Sequence, residues 1–248
     1  IDANLTGIVT AAAGSTSVTP DLSSNDATIA TTAFVRAVAG FADSHIGTPG
    51  QPGFGQGVCP NPPVGMFEMS GTRDPYSDNY GNYNFQDGSI TVWVPAFYYR
   101  IGDAANPTYA TYGANSIDVK GFNAFNTVAA ANAAGYALHR AFYDDGLVQS
   151  GFFVDKYLAS NNGGVASSVK NGLPLSSNSA HNPFSGLNGA PANFHYGAIA
   201  AAKTRGSNFF AASLFINKAL AMLSLAHAQA STSSAYCAWY DASGVTNF

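Results

Sequence analysis

Gly88-Ser-Ile-Thr-Val-Trp-Val-Pro-Ala-Phe-Tyr-Tyr-Arg-Ile101 is the stretch on which the reading of this chain turns. Ile90, Val92 and Val94 recur at period two, with Thr91 and Trp93 between them, and β-branched and aromatic residues dominate, as a strand buried on at least one side requires. Pro95 has no N–H to give to a ladder, so a bulge or an edge is expected there, with pairing resumed through Phe97 to Ile101. Gly151-Phe-Phe-Val-Asp-Lys-Tyr157 has the same character and is the expected sheet partner. The core is then a small sheet with helices packed on it. Val92, Val94, Phe97, Phe153, Leu214 and Leu220 are expected within that core.

Composition narrows the function classes. Apolar residues make up 46% of the 248, enough for a sizeable core, while only 10% are charged, against a usual ~25%. Polarity comes from Ser, Thr, Asn and Gly, beside 13 Tyr and 17 Phe. Such uncharged, hydrogen-bonding surfaces suit extracellular or virion proteins. With ten Lys and Arg and a net charge of −4, the chain cannot neutralise a phosphate track, so no nucleic-acid partner is expected. Cys59 and Cys237 form no metal or redox motif and are read as free and buried. The five histidines show no ligand spacing, and there is no nucleophile elbow, phosphate loop or paired-carboxylate motif. No catalytic residue, metal or cofactor is therefore expected. Asp144-Asp145-Gly146 reads as a turn.

Residues 1–46 divide into a polar, Ala/Thr/Ser-rich segment with little to bury and a helix expected over Ala27–Ser44. On that helix Phe34, Val38 and Phe41 continue a narrow seam of the kind that packs against identical helices, so a homotrimer is expected with these three residues at its axis. Residues 47–63 are dense in Gly and Pro, which exclude helix and strand, and are read as a linker and domain boundary. Residues 64–248 are expected to form one unit of α+β class. Its first strand is expected within Val64–Ser70, an Ala-rich helix over Thr127–Arg140, a loop over Asn161–Asn193 whose changes would leave folding untouched, and a helix over Phe209–Ala230, apolar nearly all round and hence buried. A central Lys218 argues that this helix is a core helix and not a membrane span. The loop Arg73–Asp87 carries Tyr76, Tyr80 and Tyr83, which read either as an aromatic contact surface or as rings that cover the core.

Two motifs carry resemblances. Asp26-Ala-Thr-Ile-Ala-Thr-Thr-Ala-Phe-Val35 resembles a segment of bacteriophage and prophage tail fibres that lies near the junction of shaft and distal domain. Trp93–Arg100 together with Gly151–Tyr157, and later Cys237-Ala-Trp-Tyr-Asp241, resemble the formylglycine-generating-enzyme type of C-type-lectin-like domain, which is also found at fibre tips. The resemblances imply a virion tail-fibre protein with a trimeric, receptor-binding tip. They imply as partners a host-surface glycan or protein and other tail or baseplate proteins, with Tyr76, Tyr80 and Tyr83 as ligand-contact candidates. An enzyme of the formylglycine-generating type is the alternative, yet Cys237 lacks the neighbouring cysteine that such an oxidase uses. A purely structural shaft or collar subunit is a further alternative. The chain starts at Ile1 and stops where the resembled family continues, so the domain is expected to run past Phe248.

Overall fold

The computed structural model describes residues 45–235 and Cys237. The shaft segment, the helix with Phe34, Val38 and Phe41, and residues 238–241 lie outside the described residues. What is described has a mixed α/β architecture of several small antiparallel sheets and few helices. In chain order the strands are β1 (Met66–Glu68), β2 (Asn82–Phe85), β3 (Ile90–Pro95), β4 (Phe97–Ile101), β5 (Ile117–Gly121), β6 (Ala137–Leu138), β7 (Tyr143–Asp144), β8 (Leu147–Val148), β9 (Gly151–Asp155), β10 (Ser160–Asn162) and β11 (Val165–Ser167). The helices are α1 (Tyr109–Tyr112), α2 (Val128–Ala133), α3 (His195–Lys203) and α4 (Leu214–Ala230).

The 88–101 run forms two strands, each the centre of its own sheet. One sheet has the order β1-β2-β3-β9 and the other β5-β4-β6. The expected partner is the observed one, because β3 pairs with β9 from Thr91↔Asp155 to Pro95↔Gly151. At the crossing, Ala96 N–H donates to Ser150 O (2.8 Å) and Ala96 O accepts from Phe122 N–H (3.2 Å). Placing proline immediately before this residue puts the missing N–H where the chain leaves the first ladder, so the switch of sheet strands no donor. Gly151 is required opposite: a Cβ there would strike the Trp93 ring and Val94 O.

Alternation along β3 feeds two apolar clusters. Val94, with Phe152 and Val154 of β9, joins the main core of Phe97, Tyr98, Ile117, Val119, Leu138 and Phe142. Trp93 joins Cys59 and Tyr83, with Phe153 packed alongside. Rings lock the main core: Tyr98 stacks on Phe122 at 5.3 Å and Phe97 meets Phe142 edge-on at 5.2 Å. From α4, Ala219, Leu223 and Ala226 enter this core at spacings of four and three, the two alanines letting the helix approach closely.

Several expectations are corrected. The helix of Phe209–Ala230 starts at Leu214 and is buried along one stripe only; Leu214 is 65% exposed and is not a core residue. Among the described residues no helix is long and apolar enough to cross a membrane. The Ala-rich run Thr127–Arg140 is helical for six residues only, because Gly135 takes φ +79° and the chain turns into β6 to pair with β4. Val92, Phe153 and Leu220 are half-buried. Within Asn161–Asn193, Ala166 and Leu187 are buried and pack with Ala201 of α3, so that segment contributes to folding.

Residues 47–63 lack helix and strand, as their composition demands, yet they pack on the body as a strap. Ile46 and Cys59 are buried at its two ends. Gly57 N–H donates to Trp93 O (3.1 Å), Gly50 N–H to His227 Nδ1 (2.9 Å), and Phe54 stacks on the His227 ring. Far along the chain, Arg205 clamps the segment after α3. It forms a bidentate pair with Asp155 (2.6 and 3.0 Å), donates to Ala166 O and lies 3.4 Å from Asp87.

Burial predicts the energetics. Phe97→Ala is expected to cost ~3–5 kcal/mol through lost transfer and cavity terms, whereas Leu214→Ala should stay within ~0.5 kcal/mol, since its side chain is already in water. Urea unfolding of the two variants checks both values.

Candidate functional site

The expected loop Arg73–Asp87 is corrected, because Asn82–Phe85 forms β2 with Tyr83 on it, and its three tyrosines have three different surroundings. Tyr83 is 0% exposed. Its ring meets Phe153 edge-on at 5.2 Å and its hydroxyl accepts from Cys59 N–H at 2.8 Å. Tyr83 is therefore removed from the set of ligand-contact residues; it fixes the strap to the sheet. Tyr80 is half-buried and its ring lies against Gly53 of the strap, where an added Cβ would come within 2.8 Å. Tyr76 alone stands out, 76% exposed.

The loop that carries Tyr76 is held by its own polar groups. Thr72 Oγ1 donates to Asn82 O (2.6 Å), Asn79 Nδ2 to Ser70 O (3.0 Å) and Asn82 Nδ2 to Asp78 O (3.0 Å). Thr72 and Asn82 are buried, so the bond between them is shielded from competition by water, while the Asn79–Ser70 bond is exposed. Tyr76 is thus presented from a braced loop.

A second feature, missed from sequence, lies on β5. Register pairs Arg100 with Asp118, and Tyr136, just before β6, donates its hydroxyl proton to Asp118 Oδ2. Arg100 lies 3.9 Å from Asp118 Oδ2, as does Lys120, and the Arg100 guanidinium covers the Tyr136 ring at 4.4 Å. Burial, then the bond to Asp118, pushes the Tyr136 hydroxyl far above the ordinary phenol range, so it remains a donor at every physiological pH. Asp118 and Lys120 also line a cleft of about 390 Å³ between β5, the strap and Pro107–Thr108. The readable signal is a charged residue inside an apolar strand, Ile117-Asp-Val-Lys120.

Other candidates resolve structurally. Cys59 and Cys237 are buried and free. Burial pushes the Cys59 thiol up to about 11 and, with it, the Tyr83 hydroxyl to about 12. Cys59 is therefore a protonated, unreactive thiol at neutral pH. Among the described residues no group of three His, Cys, Asp or Glu is placed to hold a metal ion. Asp144–Gly146 is the tip of the β7–β8 hairpin, with Asp145 at φ +45°.

No family model matches the chain, and neither a curated protein nor a solved structure is significantly similar to it.

His139 carries the pH dependence that the geometry predicts. It is buried among Phe97, Tyr99 and Phe142, and its Nδ1 accepts from Ala141 N–H. Burial, then the Lys218 charge, lowers its pKa below the ordinary 6.5. The unfolded chain thus binds a proton at higher pH than the folded one. Stability is fully present above the unfolded value and falls as pH drops from 6.5 through the lower folded value. Thermal melting between about pH 7.5 and about pH 5 should show this loss, and His139→Gln should flatten the slope in that window.

Proposed function

We propose that this chain is the distal part of a phage or phage-like tail fibre, with a C-type-lectin-like tip that attaches the particle to a host surface and performs no chemistry. The observation that carries the reading is Tyr76, an exposed ring on a loop braced by buried polar contacts. A pre-organised aromatic side chain gives contact area at little entropic cost, the logic of antibody paratopes. Support comes also from the Asp26–Val35 resemblance and from a surface poor in charge. The C-type-lectin-like assignment leans on the Trp93–Arg100 and Gly151–Tyr157 motifs and on their adjacency through β3 and β9. Presentation on a trimer, with the partners at the Phe34, Val38 and Phe41 seam, would turn a weak single contact into useful avidity. The host ligand is a surface glycan or protein, and other tail or baseplate proteins hold the fibre on the virion.

The burial of Tyr83 favours a second reading, a structural shaft or collar subunit, because it removes one of three contact rings from the surface. Adsorption separates the two readings. Fluorescently labelled protein is expected to bind host cells, and Tyr76→Ser should weaken binding while leaving the melting temperature unchanged, because its ring is in water. A folded Tyr76→Ser protein that adsorbs as well as the parent removes this ring from the site. Failure of the parent to bind any of a broad panel of bacterial cells favours the structural subunit.

A further inference from the structure

β5 is the end strand of its sheet, and its outer edge runs along a cleft. Two bonds at the ends of the β4–β5 ladder fix its phase: Gly102 N–H donates to Ser116 O (2.8 Å) and Phe122 N–H to Ala96 O (3.2 Å). Asp118 and Lys120, in step with Ser116 and Phe122, therefore turn their main-chain groups toward β4. Ile117, Val119 and Gly121 turn theirs to the outer edge. Gln229 already occupies the first place on that edge. Its carboxamide accepts from Ile117 N–H (2.8 Å) and donates to Asn115 O (2.8 Å), as a neighbouring strand would. Beyond it, the outward N–H and C=O of Val119 meet no partner among the described residues, although Val119 is only 4% exposed. Main-chain groups held this far from water are nearly always paired. The cleft is lined by Ile117–Gly121 together with Gly47–Pro49 of the strap, Pro107–Thr108 and Ala230.

We propose that this edge accepts an extended, acidic peptide segment of a partner protein as an added strand. The segment's main chain pairs with Val119, and one of its carboxylates lies beside Lys120. Main-chain hydrogen bonds supply affinity to any added strand, while side chains at alternate positions choose among sequences. Lys120 makes that choice. Its side chain is 44% exposed, whereas that of Asp118 is 10% exposed, held by the Tyr136 hydroxyl and faced by Arg100 at 3.9 Å. On a strand laid along the edge, the residue opposite Lys120 points to the same face, with Cβ atoms ~4.5–5.5 Å apart. A carboxylate there meets the Lys120 ammonium, and a lysine there meets like charge. The strap limits the occupant to a single chain. Gly47–Pro49 wall the cleft, so a lone extended segment enters where the sheet edge of a second copy, with its neighbouring strands, does not. The inference does not rest on attachment through Tyr76.

Amide NMR on the full 248-residue chain tests it. The probes are the end-capped peptides Thr-Val-Glu-Val-Thr and Thr-Val-Lys-Val-Thr, with a main-chain N-methylated form of the first as comparison. The Glu peptide should shift the Val119 and Gly121 amides at about millimolar concentration, the affinity of a short strand at one edge. The Lys peptide should bind about fivefold more weakly, the effect of one exposed charge pair, and the N-methylated peptide should leave both amides unmoved. Lys120→Gln, at an exposed position, should fold normally and erase the preference for Glu over Lys. Should that variant fail to fold, the preference shown by the parent chain still decides. No shift at Val119 with the Glu peptide, equal or tighter binding of the Lys or N-methylated peptide, or a preference kept by folded Lys120→Gln would overturn the proposal. A Val119 amide that moves on dilution without peptide would also overturn it, by assigning the edge to a second copy of the chain.

Discussion

One stretch of chain serves as the central strand of two sheets, and this constraint shapes everything around it. β3 is flanked by β2 and β9, and β4 by β5 and β6. Each strand is paired on one edge nearly throughout and on the other over two or three residues, and the change of sheet falls at Pro95 and Ala96. Proline removes the N–H that would lose its partner, and Ala96 gives its own N–H and C=O to Ser150 and Phe122. Gly151 clears the space opposite. The aromatic core of Phe97, Tyr98, Phe122 and Phe142 then fills the angle between the sheets.

The strap shows how a sequence too rich in Gly and Pro for regular structure can still be ordered. Its hydrogen bonds go to fixed points on the body, Trp93 O and His227 Nδ1, and its ends are anchored by Ile46 and Cys59. The same packing consumes Tyr83 and half of Tyr80, which leaves Tyr76 as the exposed ring. It also builds one rim of the β5 cleft. The strap thus meets the sheet through Tyr80 and Tyr83 and walls the β5 cleft, while the loop with Tyr76 is held by its own polar groups.

Strand content was legible where period and composition agreed. Ile90–Val94 and Gly151–Asp155 read as strands and pair as such, because alternation and β-branching depend only on local sequence. What depended on distant partners was hidden. Tyr83 is buried by Cys59, 24 positions upstream, and nothing near Tyr83 announces that. The α4 stripe looked apolar all round, yet Leu214 and Phe215 face water because the body covers only the side of Ala219, Leu223 and Ala226. The Asp118 cluster was invisible because its members come from β4, β5 and the turn before β6, joined only by register. Arg205 likewise finds Asp155 fifty positions away.

If the shared ribbon holds both sheets together, the sheets unfold as one unit. Native-state hydrogen exchange followed by NMR measures this directly, using the ladder amides of β3 and β4. The account predicts that both strands exchange with the same, highest protection and that Phe97→Ala lowers the two equally, since neither sheet can lose its central strand alone. Protection that survives in β3 and β9 while β4 and β5 exchange independently would contradict it.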